Sequence, residues 1–210
     1  MKGGSSMIWK NIPFIILTFA LFTGILTGCG GKKELPPLDI PELSADTKLT
    51  QYSDNEHGYY FHYPKDWKLY DQLKTLKNEE EKKRTGNQKT ILVSPFEGNN
   101  IESLNISVLS QFHDKVEAKL NEDFIKQTKN AYEQSGHKVI SIKLDTFKGK
   151  YPAVISKLSK PVNDFTEVTK QYIFIVGTRL FIISLQGWEE FYSEFEGNLD
   201  LFLDKLYIQE

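Results

Sequence analysis

The chain has little of what catalytic and metal sites are made from. Its 210 residues include one cysteine and four histidines, and only Arg84 and Arg179 among its 26 basic residues are arginine. It carries no Gly-rich loop of the kind that cradles phosphate, and Gly30-Gly31 lies in a stretch that reads as tether. No G-x-S-x-G elbow occurs, and Ser135-Gly136 reads as a helix end. His57 and His62 are five apart on or beside one strand, an odd offset that puts them on opposite faces and argues against a shared metal. His113 and Asp114 fall in a loop, and the acids Glu79, Glu80 and Glu81 are neutralised by Lys82, Lys83 and Arg84. Without a basic stripe, nucleic acid is not an expected partner. Without a polybasic patch, neither is a lipid head group. No metal, cofactor or catalytic cluster is expected.

What is present begins at the amino end. Lys10 and Lys32 bracket 21 residues without a charge, and Ile12 to Ile25 is almost wholly apolar. Lys2 and Lys10 precede the run, and Met7 offers a second start. A basic segment, an apolar segment and a small-residue end are the parts of a secretory signal. The run closes on Leu26, Thr27, Gly28 and Cys29. Leu-Thr-Gly-Cys resembles the lipobox of bacterial prolipoproteins. That resemblance implies a signal peptide over residues 1–28, cut before Cys29, with a diacylglycerol on the Cys29 thiol and a fatty acyl chain such as palmitate on the new amine. Membrane lipid is then one partner, reached through acylated Cys29, and more than one acyl chain holds a protein stably where a single chain is marginal. No free thiol is left for a disulfide, for thiol catalysis or for a cysteine metal site. The competing reading is an uncleaved span, since about 20 apolar residues cross a bilayer. Gly24 and Gly28 weaken a helix there. The expected location is the outer, extracytoplasmic face of the cell membrane. The lysine bias fits an AT-rich genome and points to a Gram-positive bacterium.

Loss of residues 1–28 removes two lysines and no acid, leaving 24 basic and 28 acidic residues. Residues 29–50 follow as lipidated cysteine and tether, with Pro36, Pro37 and Pro41 favouring extended backbone. Residues 51–210 are long enough for one domain with a real core. Three Trp, ten Tyr and fourteen Phe supply bulk for it.

Residues 58–63 read as an aromatic strand with Tyr59, Phe61 and Tyr63 on one face and Tyr60 and His62 on the other. Pro64, Lys65 and Asp66 make a turn, and Trp67 to Tyr70 is expected to run back as a second strand with Trp67 buried. Residues 77–88 hold no apolar side chain and read as a solvated loop or exposed helix. Strands follow at 90–94 and 103–111. Asn121 caps a helix with Glu122 and Asp123 in its first turn, and Gly136 ends it. Strands at 138–147, 151–158 and 167–176 come next. Gly177-Thr178 joins the last to 180–185 as a tight hairpin. Residues 167–185 are apolar on both faces, so these two strands are central. Trp188, Phe191, Tyr192, Phe195, Leu199, Phe202 and Leu206 form one helical stripe laid on the sheet, with Gly197 a possible kink opposite it. The expected fold class is α+β, with two helices on an antiparallel sheet.

Gly58-Tyr-Tyr-Phe-His-Tyr-Pro-Lys-Asp-Trp67 resembles the opening of the PsbP-like superfamily, in which a Gly, alternating aromatics and a YPxxW turn start the domain. Asn105-Ile-Ser-Val108 is similar to that family's next core strand, and the resemblance extends over residues 51 to 208. It implies an α/β/α sandwich around an antiparallel sheet. The family includes an extrinsic photosystem II subunit, a nuclear-transport factor that binds a small GTPase, and bacterial lipoproteins. Its members share a scaffold rather than a reaction. The photosynthetic members' functional features have no matching motif here, and the insertion at 71–89 departs from the family. The expected function is a membrane-anchored, non-catalytic binding or assembly domain, with a protein or small ligand as partner. The candidate partner surface is Tyr60, His62, Lys65 and Asp66, with the loop at 71–89 beside it. The alternative is a cell-envelope enzyme, which would need to gather groups such as His62, Asp66 and Asp145 in one cleft. A purely structural lipoprotein is the third reading.

Overall fold

The computed structural model describes residues 35–41, 43, 48–71, 88–97, 104–112 and 120–210. The signal segment, the lipobox residues Leu26, Thr27, Gly28 and Cys29, and residues 72–87 of the expected solvated loop lie outside the described residues. Among the described residues ten strands and two helices follow one another: β1 (Leu49–Asp54), β2 (Tyr59–Pro64), β3 (Lys68–Asp71), β4 (Gln88–Ser94), β5 (Leu104–Phe112), α1 (Glu122–Gln134), β6 (Lys138–Phe147), β7 (Tyr151–Val162), β8 (Phe165–Val176), β9 (Arg179–Trp188), α2 (Glu189–Lys205) and β10 (Tyr207–Ile208).

The strands form two sheets. Seven pair in the order β3-β4-β5-β9-β8-β7-β6, and three in the order β1-β2-β10. Every pairing is antiparallel. The expectation of central strands holds: β9 has three strands on either side of it, and β8 is its neighbour. Leu180 to Leu185 are all buried, as strands covered on both faces must be. The Gly177-Thr178 hairpin forms with Val176 opposite Arg179.

One expectation is corrected. The aromatic strand does not pair with the strand after the Pro64 turn. The turn is real, closed by a Trp67 N–H bond to Pro64 O at 3.1 Å, but β3 leaves for the larger sheet and pairs with β4. β2 pairs instead with β10 and with β1, for which the sequence raised no expectation. Leu-Thr-Gln-Tyr-Ser-Asp lacks the alternation of a half-buried strand.

Local chemistry fixes α1. The Asn121 side chain accepts from Phe124 N–H at 3.0 Å, and Glu122 and Asp123 occupy the first turn. Gly136 takes φ 85°, so that Gly136 N–H reaches Glu133 O and His137 N–H reaches Tyr132 O, both at 3.0 Å. These two bonds make a Schellman end, which favours glycine in the left-handed region.

The layers are then plain. One face of the seven-stranded sheet carries α2 and the three-stranded sheet. Between them lies the main core, with Phe147, Phe174, Phe181, Ile183 and Leu185 from the large sheet, Tyr59 and Phe61 from β2, and Tyr192, Leu199 and Phe202 from α2. Phe61 meets Phe202 at 4.7 Å and Tyr59 meets Phe181 edge-on at 5.7 Å. Trp67 is buried here as expected, against Phe195. On the opposite face α1 seats Phe124 among Leu109, Val154, Ile173, Leu180 and Ile182. Gly197 interrupts nothing, since α2 is continuous through it.

Candidate functional site

The alternation of β2 sends Tyr59 and Phe61 inward and leaves Tyr60 and His62 on the outer side of the small sheet. That outer side is not open. Tyr60 is half-buried and stacks on Tyr207 of β10 at 5.0 Å. His62 is 9% exposed and its Nε2 lies 3.0 Å from Gln51 Oε1 on β1. Burial lowers the pKa of His62 from its ordinary value. Lys65 and Asp66 are exposed in the turn, which a Lys65 N–H bond to Lys48 O at 2.9 Å ties to the start of β1. The four candidate partner residues therefore divide: Lys65 and Asp66 are displayed, while Tyr60 and His62 serve the packing of the three-stranded sheet. Asp145 sits exposed on β6, paired with Lys143 at 2.5 Å. Each of His62 and Asp145 thus bonds a neighbour of its own, and Asp66 is solvated in its turn.

A denser polar cluster, which the sequence reading missed, lies where the two sheets meet. Asp54 at the end of β1 is 3% exposed. It accepts from His57 N–H at 3.0 Å, and His57 Nδ1 and Lys89 Nζ each stand 3.2 Å away. Burial alone raises the pKa of a carboxyl. Here the His57 ring and backbone N–H, with Lys89, more than reverse it and hold Asp54 at about 2. Lys89 also sits 5.6 Å from the Tyr52 ring centroid. Beside this group Arg179, 3% exposed, leaves β9 to donate to His57 O at 2.7 Å and to Gln209 O beyond β10. One guanidinium so ties the large sheet to the turn of the small one and to the carboxyl tail. Gly58 leaves room for it: φ is +64°, and a Cβ there would lie 2.5 Å from Arg179 Nη1. The sequence held one signal for this corner, a rare arginine directly after the hairpin turn. It held none that joined Asp54 to Lys89.

A third polar set crosses the face under α1. Ser107, Ser184, Gln171 and Ser156 stand opposite one another on β5, β9, β8 and β7. Asn105, Gln186 and Thr169 form the next row of the same face. The Tyr132 hydroxyl of α1 bonds Gln171 Oε1, Gln171 Nε2 donates to Ser184 Oγ at 2.9 Å, and Gln186 Nε2 donates to Glu167 Oε2 at 2.6 Å. Burial pushes Tyr132 up to about 12, so it remains a protonated donor. His137 packs edge-on against Tyr132 at 6.2 Å. Ser135 Oγ donates to Tyr132 O and lies 2.8 Å from His137 Nδ1. Burial, followed by the charge of Lys160, depresses His137 to about 4. Tyr132, Gln171 and Ser184 thus form one bonded chain and Gln186 and Glu167 a second pair, and among the described residues no group of three or more His, Cys, Asp and Glu is placed to hold a metal ion. Among the same residues no helix is long and apolar enough to cross a membrane.

Comparison of the whole architecture with solved structures places it. Cyanobacterial PsbP from Synechocystis superposes with a TM-score of 0.53 at 16% identity, over 81% of this chain and 99% of that one. The fold is PsbP-like. Two further structures are similar to lower scores: protein PA94 from Pseudomonas aeruginosa (TM-score 0.45, 12% identity, 78% of this chain and 99% of that one) and the Ran-binding protein Mog1p from Saccharomyces cerevisiae (TM-score 0.44, 10% identity, 76% and 95%). No family model and no curated protein sequence matches the chain. At these identities the likeness is one of fold, and chemistry has to be argued from the residues present.

Proposed function

We propose that this chain is a bacterial lipoprotein, held at the extracytoplasmic face of the cell membrane by acylated Cys29, whose PsbP-like domain binds or assembles with a partner and performs no catalysis. The observation that carries the reading is the Leu26-Thr27-Gly28-Cys29 sequence at the close of a charge-free apolar run that follows two lysines. The lysine bias supports a Gram-positive source. The polar clusters support the non-catalytic half. Asp54 is engaged by His57 and Lys89, Arg179 by backbone carbonyls, and Tyr132 by Gln171. Such groups hold elements together, and a nucleophile or base needs one that can reach a substrate. The displayed Lys65-Asp66 turn is the part of the partner surface this reading retains.

Labelling cells with a palmitate analogue tests the anchor. Wild type takes the label and stays with the membrane, and Cys29→Ala loses the label and leaves it. Membrane retention of unlabelled protein would overturn the lipoprotein reading in favour of an uncleaved span over residues 12–28.

A further inference from the structure

The tether expected over residues 29–50 is not slack along its length. Residues 35–41 hold Pro36, Pro37 and Pro41, which favour extended backbone, and they lie on the domain. A Cβ on Gly58 would stand 2.6 Å from Leu35 Cδ1, so the leucine methyl rests directly on that glycine. Gln209 Nε2 donates to Pro36 O at 3.1 Å, while Gln209 N–H bonds Gly58 O at 2.8 Å. Leu38 and Ile40 are half-buried, and the Asp39 carboxylate lies close enough to Tyr60 to add, after burial and Tyr207, to the rise in its pKa. The strap thus seats on the corner where Arg179 joins the two sheets.

We infer that this docked strap makes the Gly58–Arg179–Gln209 corner the membrane-facing end of the domain, apposed to a lipid surface, and turns the opposite end outward. The inference rests on the anchoring proposed above. Only residues 30–34 separate the acylated cysteine from Leu35. Six Cα steps reach at most about 20 Å, so the corner cannot leave the bilayer by more than that. The Gly177-Thr178 turn stands next to Arg179 at this end. The strands run away from it: β8 is 12 residues long, which at about 3.3 Å per residue is about 40 Å. At their far end lie the Asn163-Asp164 turn and exposed Phe165 stacked on Trp188 at 5.3 Å. The Lys65-Asp66 turn lies at the end of β2 remote from Gly58. A partner approaching from outside the membrane meets these residues first.

Energy transfer to a lipid-borne acceptor tests the placement. With Cys29 acylated, a single cysteine introduced as Thr178→Cys or Asp164→Cys is the only thiol, and each can carry a donor dye on the full lipidated protein in phosphatidylglycerol vesicles. The expected result is strong loss of donor emission from position 178 and little from 164. In the Leu35→Ser, Gln209→Ala background, which removes the strap's methyl contact and its side-chain bond but keeps the Gln209 backbone bonds, the difference between the two positions shrinks. Equal transfer from both positions in the intact protein, or a difference that the strap substitutions leave unchanged, overturns the inference while the anchor stands. Protein that fails to stay with the vesicles overturns the anchor, and this inference with it.

Discussion

The two faces of the seven-stranded sheet are made by alternate residues of the same strands, yet they are built on different principles. The face toward α2 and the small sheet is apolar at its centre, with Lys157 and Lys170 reaching Glu196 of α2 at 3.7 Å, and that centre is a ring stack: Phe147 lies 4.1 Å from Phe174, and Phe174 5.5 Å from Phe181. The face toward α1 is apolar only around Phe124. Two residues further along the strands it becomes a row of serines and a glutamine, then a row of amides and a threonine. Burial of apolar area stabilises the first face without regard to direction. The second depends on bonds being made, because a buried polar group is costly only when it goes unpaired. The first face therefore fixes how much stability the domain has. The second fixes where α1 sits.

Removing a ring from the stack is the largest test of this contrast. Phe174→Ala deletes a fully buried ring and is expected to cost about 3–5 kcal/mol. Ile173→Val, one residue along and on the other face, is expected to cost about 1 kcal/mol. Urea unfolding of the two variants checks the pair, and equal costs would dissolve the distinction.

Acid separates the faces by pH window. His137 under α1 is depressed from 6.5 to about 4. The unfolded chain therefore takes up a proton that the folded one refuses, and stability present above pH 6.5 is lost as pH falls toward 4. The loss is on the order of 3 kcal/mol and is absent in His137→Gln. Asp54 at the junction of the sheets is depressed from 3.8 to about 2. Its contribution is present above pH 3.8 and is lost as pH falls to about 2, on the order of 2 kcal/mol. Denaturant midpoints measured from pH 7 to 2 should fall in two steps. The upper step disappears in the His137 variant and the lower in Asp54→Asn.

A test of the polar row itself is the most discriminating. Tyr132→Phe leaves Gln171 without its hydroxyl donor and is expected to cost about 1–2 kcal/mol. Adding Gln171→Leu should return part of that cost if the row serves packing alone, because both partners are then apolar. A double variant that costs the sum of the singles would mean the row is held for something other than α1.

The residues show how far the sequence could be read. Asn121, Glu122 and Gly136 mark the ends of α1 because caps and Schellman turns act through atoms a few residues apart. The Gly177-Thr178 turn, the two-faced apolar pattern of β8 and β9, and the stripe from Tyr192 to Leu206 are legible for the same reason: periodicity and turn chemistry are local. The PsbP-like sandwich followed from their order. The candidate partner surface was legible only in part. Tyr60 and His62 lie on the outer face as alternation requires, but alternation does not reveal that Tyr207 and the strap lie over that face.

Sequence alone determined most of the elements between β2 and α2, the central place of β8 and β9, and the motif ending at Cys29 on which the membrane proposal rests. Tertiary structure decided which strands share a sheet, that β1 exists, that residues 35–41 dock, and that Asp54 meets Lys89. The physical reason is range. Gly58 and Arg179 are 121 residues apart, and β1 gains its form only from pairing with β2. Contacts of that kind depend on which surfaces the folded chain brings together, and no local pattern records them.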